Sequence, residues 1–401
     1  MTDRTTFDQV MVPNYSPLAI IPERGKGSRL WDKEGNQFID FAGGIAVSCL
    51  GHCHPKLTQA IQQQSEKLWH VSNVMTNTPA LELAEKLTEL TFADKSYFCN
   101  SGAEANEAAF KLARRYAHDQ YGAEKDQIIA FKNSFHGRTL FTVSVGGQPK
   151  YSEGFGPLPG AIDHAEFNNL DSVAELISDK TCAVVVEPIQ GEGGVVPATK
   201  EFLSGLRELC NKHNALLIFD EIQTGASRTG ELYAYQNYDV TPDILTTAKG
   251  IGGGFPIGAM LTTSEIAKSL VIGTHGSTYG GNPLACAVAN AVVDIISDKN
   301  LLDEVKSKHR TFMARLDVIN QRHKIFKNIR GMGLLIGCEL KDEFAGKAGE
   351  ILAIAQQHNL LLLVAGPNVV RLAPSLIIPE EDMEQGLMSL DQAIEEFLAN
   401  K

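Results

Sequence analysis

The sequence lacks the features by which disulfide-stapled, zinc-binding and membrane proteins are recognised. Its seven cysteines are scattered, and no CxxC pair occurs, so neither a disulfide framework nor a metal site is expected. No apolar run approaches the length that crosses a bilayer, and residues 1–13 contain no apolar core of a signal peptide. These absences predict a cytoplasmic protein whose cysteines are in the reduced thiol form and which has no membrane partner.

An excess of positive charge is also missing. The chain has a formal net charge of −12, and charged residues make up 21% of its 401 residues. An acidic surface repels nucleic acids and anionic membranes, so neither is expected as a partner. An anionic substrate would then be bound by individual arginines. A composition of 43% hydrophobic residues is that of an ordinary globular protein, long enough for two domains.

Hydrophobic patterning predicts an α/β fold in three segments. Residues 1–50 are predicted to form an arm and a hairpin, and 51–298 alternate strand and helix, which is typical of a mostly parallel sheet with helices on both faces. Residues 299–401 are predicted to form a smaller α+β unit that the N-terminal segment completes. In the large segment we expect strands at 96–99, 128–131, 183–186, 215–219, 244–247 and 257–261, and helices over 105–116 and 200–213. In the small unit we expect helices over 301–321, 347–358 and 380–399.

Asp220 and Lys249 form the leading candidate for a chemical site. Asp220 closes the apolar run 215–219, and ligands of α/β sheets bind just beyond the carboxyl ends of such strands. Lys249 lies among small residues that leave room for a bulky partner, which suits a Schiff-base lysine. A nearby aspartate suits the ring nitrogen of pyridoxal phosphate. A helix-capping aspartate and a surface lysine would explain the same two positions.

Three further segments carry candidate groups. Residues 100–104 follow a strand and open a helix, where backbone N–H groups can bind a phosphate, although an ordinary helix cap explains them equally well. In 135–139, Phe135 could stack on a flat ring and Arg138 could bind a carboxylate. In the glycine-rich loop 187–194, acid–base roles and pairing with an arginine both stay open for Glu187 and Glu192.

Two motifs argue against other cofactors. The glycines at 250–254 are not in the GxGxxG register directly after a strand, which disfavours a nicotinamide dinucleotide. Residues 52–55 place two histidines and a cysteine on one turn, where adjacent ligands rarely share an ion. We therefore interpret 52–55 as a structural turn.

Taken together, these motifs resemble the signature of class III aminotransferases, which are fold-type I pyridoxal-phosphate enzymes. The similarity extends over nearly the whole chain and is carried by 14–15, 51–55, 101–107, 135–138, 187–193, 220–225, 228–230, 249–258 and 277–283. Within the class, the pattern is most similar to the acetylornithine and succinylornithine aminotransferases. Ser227 stands where the family usually has glycine, which affects only the local turn.

The resemblance implies how the cofactor would be held. Lys249 would form the Schiff base with pyridoxal phosphate and shuttle the proton, and Asp220 would keep the pyridine nitrogen protonated. Gln223 would hydrogen-bond the ring hydroxyl and Phe135 would stack on the ring. The backbone amides of Gly102 and Ala103 would hold the phosphate. Thr278 from the second subunit of a homodimer would also reach it.

The resemblance also implies how substrates would be bound. Tyr15, Arg138, Ser277 and Arg371 would handle substrate carboxylates. Arg138 would bind the distant carboxylate of both substrates, and Arg371 would bind the near carboxylate of glutamate only. Glu192 would neutralise Arg371 when the other substrate is present.

The reaction implied is transfer of the δ-amino group of N2-acetyl-L-ornithine to 2-oxoglutarate, giving N-acetyl-L-glutamate 5-semialdehyde and L-glutamate. The same chemistry on N2-succinylornithine or N-succinyldiaminopimelate is the nearest alternative. A pyridoxal-phosphate aminomutase would share the Lys249–Asp220 pair but would release no free glutamate. A non-catalytic relative would be expected to lack Lys249 or Asp220, and both are present.

Overall fold

The computed structural model describes residues 4–400, so residues 1–3 of the predicted arm and residue 401 of the predicted C-terminal unit lie outside it. Strands β1 to β17 span, in chain order, Pro22–Lys26, Arg29–Asp32, Gln37–Asp40, Lys95–Cys99, Gln127–Phe131, Ile162–Ala165, Thr181–Val186, Ile189–Gln190, Val196–Pro197, Leu216–Asp220, Ile244–Thr247, Gly258–Thr262, Phe326–Met332, Leu335–Leu340, Leu360–Leu361, Leu363–Val364 and Val369–Leu372. Helices α1 to α14 span Arg4–Val10, Gly43–Ala46, Pro55–Ser65, Thr78–Leu90, Gly102–Tyr121, Leu140–Val145, Leu170–Leu176, Lys200–His213, Tyr235–Tyr238, Ser264–Ala267, Pro283–Ile296, Lys299–His323, Ala348–Gln357 and Glu380–Ala399. Short 3₁₀ turns occur at Pro149–Tyr151, Lys249–Gly252 and Asp342–Phe344. Within residues 4–400, no helix has both the length and the apolar character needed to cross a membrane.

A seven-stranded mixed sheet in the order β4-β12-β11-β10-β7-β5-β6 forms the centre of the fold. Pairing is parallel from β11 through β10, β7 and β5 to β6, whereas β12 runs antiparallel to both β11 and β4. Six strands therefore point the same way and end at one edge. The predicted α/β class with a mostly parallel sheet is confirmed. The edge strand β6 was not predicted, because its half-polar sequence lacks the apolar run of its neighbours.

Helices cover both faces of this sheet, as the alternation predicted. In β10, Leu217 and Phe219 pack with α8 in one apolar cluster, while Ile218 packs with α5 in another. Successive side chains of a strand point to opposite faces, so a strand that is apolar on both faces must be covered twice. All five residues of β10 are buried.

The long helix α5 begins at the sheet edge where the strands end. The Ser101 hydroxyl accepts a hydrogen bond from the backbone N–H of Glu104 and caps the helix. Its buried face is built largely of alanines, which let the helix approach the sheet closely. The predicted helix over 105–116 is confirmed, and it extends three residues further at its N-terminal end and five at its C-terminal end. Its first turn points backbone N–H groups toward the sheet edge.

The N-terminal and C-terminal parts of the chain share one sheet. Strand β3 pairs in parallel with β15, with Ile39 opposite Leu360 and Asp40 opposite Leu361. A second sheet in the order β13-β14-β17-β16 carries Arg371 on β17. The three predicted C-terminal helices are confirmed as α12, α13 and α14. The domain bounds at 50 and 298 remain a prediction.

Gly386 marks the tightest contact between α14 and the N-terminal part. A Cβ atom at Gly386 would lie 2.2 Å from Cζ of Phe41, a fully buried ring packed edge-on against Phe312. We expect Gly386→Ala to lower the free energy of unfolding by about 1–3 kcal/mol, because the ring has no space to move. Urea unfolding measures this effect.

The matched control is Gly349→Ala, since Gly349 also lies in a helix but a Cβ there would meet no atom within 4 Å. This substitution is expected to be neutral, or stabilising by up to about 1 kcal/mol, through helix propensity. Equal losses in both variants would contradict the packing argument.

Candidate active site

A cavity of about 480 Å³ opens at the edge where the parallel strands end. Asp220 enters it at the end of β10, and Lys249 and Glu187 enter it from the turns after β11 and β7. The cavity is also lined by Gly102, Ala103, Phe135, Arg138, Gln223, Ile222 and Val47. Eight residues that the sequence singled out thus share one cavity, because their strands run in the same direction.

The Asp220 carboxylate is held from behind by two buried side chains. Its Oδ2 accepts hydrogen bonds from Asn106 Nδ2 at 2.8 Å and from His136 Nδ1 at 2.7 Å. Its Oδ1 accepts a hydrogen bond from the Ile222 N–H at 3.1 Å. The Thr246 hydroxyl donates to the side-chain oxygen Oδ1 of Asn106. The sequence analysis gave Asn106 and His136 no role. The available signal was Asn106 itself, a polar residue on the alanine-rich buried face of α5.

Lys249 is held in an unfavourable backbone conformation at the cavity floor. Its φ of 46° lies in the left-handed region, which costs a residue with a side chain about 1–3 kcal/mol and recurs at functional sites. Burial lowers the pKa of its amine below the usual value. Within residues 4–400 the amine makes no hydrogen bond or ion pair. The result is an unpaired amine that can lose its proton and act as a nucleophile.

The first turn of α5 has the geometry of an anion site. Within the described chain, no hydrogen bond occupies the backbone N–H groups of Gly102 and Ala103, and both residues line the cavity. A Cβ atom at Gly102 would lie 2.6 Å from Ile222, so only glycine fits there. Free N–H groups at the start of a twenty-residue helix favour a phosphate.

Arg138 lies at the exposed rim of the cavity and is positioned by aromatic rings. Its Cζ lies 4.0 Å from the centroid of the Tyr151 ring and 5.5 Å from that of Phe135. The Phe135 and Tyr151 rings meet edge-on at 5.6 Å. Within residues 4–400, Arg138 has no carboxylate partner. Tyr151 was not predicted, because nothing in the sequence links it to Arg138.

Arg371 is buried and paired with Glu192. Its Nη1 donates to Glu192 Oε1 at 2.6 Å, to Gln223 Oε1 at 3.0 Å and to the Gly191 carbonyl at 3.2 Å. Burial alone would raise the pKa of Glu192, but the charge and hydrogen bond of Arg371 outweigh it and hold that pKa below its usual value. The structure thus brings Glu192 together with an arginine, which is one of the two alternatives left open by the sequence, and the role of Glu192 remains a prediction.

Glu187 behaves differently from Glu192. It is buried, and the Phe135 N–H is the hydrogen-bond donor to its carboxylate. Burial, reinforced by the nearby charge of Asp220, raises the pKa of Glu187 well above its usual value. Glu187 therefore keeps its proton to a higher pH than an ordinary glutamate does.

Five predicted site residues do not line this cavity: the paired Glu192 and Arg371, and also Tyr15, Ser277 and Thr278. Ser277 Oγ accepts hydrogen bonds from Asn100 Nδ2 at 3.2 Å and from the Gly280 N–H at 3.0 Å, and the neighbouring Thr278 is exposed. Tyr15 lies on the extended arm between α1 and β1 with 74% of its surface exposed. The roles proposed for these residues remain predictions, as do those of the residues inside the cavity.

A model of the aminotransferase class III family matches residues 10–394. The chain is a class III aminotransferase. It is 62% identical over 391 residues to an acetylornithine aminotransferase of Pseudomonas putida, covering 98% of this chain and 96% of that protein. A Yersinia pestis protein named acetylornithine/succinyldiaminopimelate aminotransferase is 60% identical over 98% of this chain and 97% of its own length. Among solved structures, the N-acetylornithine aminotransferase from Stenotrophomonas maltophilia superimposes with a TM-score of 0.86 at 42% identity, covering 96% of this chain and 98% of that one.

The aminotransferase uses pyridoxal phosphate, and the cavity fits it. The free N–H groups of Gly102 and Ala103 suit the phosphate, and the amine of Lys249 has no partner among residues 4–400. Asp220 presents a firmly held carboxylate, which suits a protonated ring nitrogen. The volume of about 480 Å³ lies within the range of small-molecule sites.

Lys249→Ala should abolish turnover and the visible absorbance of lysine-bound cofactor, because no other amine lines the cavity. Pyridoxal phosphate should still bind through its phosphate at the start of α5. Absorption spectra and an assay of glutamate release measure the two effects. Lys180→Ala, at an exposed lysine outside the cavity, is the control. Ordinary turnover by Lys249→Ala would contradict the assignment.

Proposed function

We propose that the aminotransferase moves the δ-amino group of N2-acetyl-L-ornithine to 2-oxoglutarate, giving N-acetyl-L-glutamate 5-semialdehyde and L-glutamate. The observation that carries this proposal is the unequal state of two arginines: Arg138 is unpaired at the rim, and Arg371 is paired with Glu192. A donor with one distant carboxylate needs Arg138 alone, whereas 2-oxoglutarate needs both arginines. The names of relatives about 60% identical support the same donor.

The cavity residues would divide the chemistry among them. When bound, pyridoxal phosphate supplies an electrophilic carbonyl and a ring that withdraws electrons from the carbon that loses its proton. Asp220 would hold a proton at the ring nitrogen, and Phe135 would pack on the ring. Gly102 and Ala103 would hold the phosphate through their N–H groups.

Lys249 would attach the cofactor and move the proton between substrate and cofactor carbons. Its amine must be neutral to take that proton, and burial lowers its pKa in the required direction. Gln223, whose amide now contacts Glu192 and Arg371, would also hydrogen-bond the ring hydroxyl oxygen. Gln223 would thereby connect the cofactor ring to Arg371, the arginine that would bind the near carboxylate.

Glu192 would act as a gate on Arg371. With acetylornithine bound, the uncharged part of the substrate would lie beside Arg371, and a buried arginine without a partner is costly. The Glu192 pair satisfies that charge. With glutamate or 2-oxoglutarate, the near carboxylate would replace Glu192. Arg138 would bind the distant carboxylate in both half-reactions, and Tyr15 and Ser277 would assist it.

Arg371→Ala should slow the glutamate half-reaction by about ten- to hundredfold, because a charge-assisted hydrogen bond is worth roughly 1.5–3 kcal/mol. The acetylornithine half-reaction should change much less. Arg138→Ala, at the other arginine, should damage both. Single-turnover rates measured separately for the two half-reactions decide the matter. Equal losses in both for Arg371→Ala would remove the gate.

Donor identity is tested by steady-state comparison of acetylornithine, succinylornithine, N-succinyldiaminopimelate and ornithine. We expect acetylornithine to give a high kcat/KM and ornithine a low one. N-succinyldiaminopimelate is a second candidate donor, because it appears in the name of the Yersinia pestis relative. Release of free glutamate distinguishes a transaminase from an aminomutase. Preference for ornithine would contradict the proposal.

We further propose that the enzyme works as a homodimer whose partner copy supplies Thr278 to the phosphate site. Thr278 lies in an exposed loop outside the cavity of its own chain. The same loop exposes the apolar side chains of Ile272 and Tyr279, at 104% and 61% of their surface, which supports burial against another subunit. Light scattering under assay conditions should give twice the chain mass. A fully active monomer would refute this.

We place the enzyme in the reducing cytoplasm. All seven cysteines are free thiols, and six of them are buried. An oxidising compartment favours paired cysteines, and none is paired here.

A further inference from the structure

A second cavity of about 420 Å³ lies beside the glycine loop that carries Glu192. Its charged lining residues are Lys150, Glu192, Arg330 and Glu339. Glu192 lies one residue away from the first cavity, because Gln223 lines that cavity and donates its Nε2 to Glu192 Oε1 at 3.3 Å. Gln223 therefore links Glu192, which lines the second cavity, to the first.

The backbone of the glycine loop is fixed on both sides of Glu192. Arg371 donates to the Gly191 carbonyl at 3.2 Å. Arg330 donates to the carbonyls of Gly194 at 2.7 Å and Val195 at 3.0 Å. With the backbone held in this way, Glu192 can leave Arg371 by rotating its side chain rather than by moving the loop. The second cavity is the adjacent space that it already lines.

The second cavity offers one unpaired cation to a rotated Glu192. Arg330 is paired with Glu339. Lys150 lies on the exposed 3₁₀ turn Pro149–Tyr151, and within residues 4–400 its ammonium forms no ion pair. That ammonium lies 4.7 Å from the centroid of the Tyr151 ring, and Arg138 lies on the same ring. Lys150 is thus placed between the substrate arginine at the rim and the cavity beside Glu192.

We propose that the second cavity receives the Glu192 carboxylate when glutamate or 2-oxoglutarate takes its place on Arg371, and that Lys150 is the positioning residue that pairs with it there. This inference rests on the gate proposed above. A carboxylate that loses its arginine needs another cation or water, and Lys150 supplies the cation. Pairing with Lys150 stabilises only the state in which Arg371 is open. It therefore favours the dicarboxylate substrate over the acylated amino donor.

Lys150→Met should slow the glutamate half-reaction about three- to fivefold, the effect of losing one solvent-exposed ion pair. The dissociation constant of glutarate, a dicarboxylate that cannot react, should rise by the same factor in calorimetry of the holoenzyme. The acetylornithine half-reaction should not change. Lys150→Arg should restore both values. Lys180→Met, at an exposed lysine outside both cavities, is the matched control.

The decisive comparison repeats Lys150→Met in a Glu192→Gln background. Glutamine needs no cation, so the effect of Lys150→Met on glutamate and glutarate should vanish there. An effect that persists would mean that Lys150 attracts the dicarboxylate itself or another anion, and it would overturn the proposal. Equal effects of Lys150→Met and Lys180→Met would also overturn it.

Glu192→Gln alone separates this inference from the gate. A working gate predicts that Glu192→Gln slows the acetylornithine half-reaction relative to the glutamate one, because Arg371 loses its partner. An unchanged ratio would remove the gate and the receiving cavity together. Two results together would support the gate but refute the receiving cavity. These are a changed ratio of the two half-reaction rates in Glu192→Gln, and an effect of Lys150→Met that does not depend on Glu192.

Discussion

The hydrogen-bonded cluster around Asp220 ties the walls of the active site together. Asp220 ends strand β10, Asn106 belongs to helix α5, and His136 follows strand β5. The Asn106 side chain also donates to the His136 carbonyl, so the two residues that hold the carboxylate are joined to each other. A carboxylate fixed by several donors keeps its position when a cationic ring nitrogen is placed before it. Cofactor geometry therefore depends on packing between three βα units.

Charge balance in the buried site follows from the same arrangement. Lys249, Arg371, Glu187, Glu192 and Asp220 lie close enough for their charges to affect one another. Burial favours the uncharged forms of Lys249 and Glu187, whereas the charge and hydrogen bond of Arg371 lower the pKa of Glu192 and favour its charged form. A buried charge is tolerated only with a partner, and Glu192 is that partner for Arg371 in this structure. Under the proposed gate, a substrate carboxylate would take the place of Glu192, and two substrates of different charge could use one pocket.

The sheet that contains β17 places Arg371 beside Glu192. Strand β17 comes from the C-terminal part of the chain. In the same sheet, Arg330 on β13 donates to the glycine loop that follows β7 of the large sheet. The N-terminal strand β3 completes the C-terminal unit by pairing with β15. Residues far apart in sequence thus contact one loop.

The sequence by itself determined the fold class, most strands and helices, and the positions of Asp220 and Lys249 at strand ends. Those features are local. They depend on side-chain periodicity and on apolar runs that end in a polar residue, and both patterns involve only residues close in sequence. The reversed direction of β12 was decided by tertiary structure, since an apolar run does not reveal its direction. Packing also decided that Asn106 and His136 hydrogen-bond Asp220. It placed Arg138 over the Tyr151 ring, and it placed Lys150 at the second cavity together with Glu192. Contacts between distant residues depend on how helices and strands pack, and one sequence contains no distances between them.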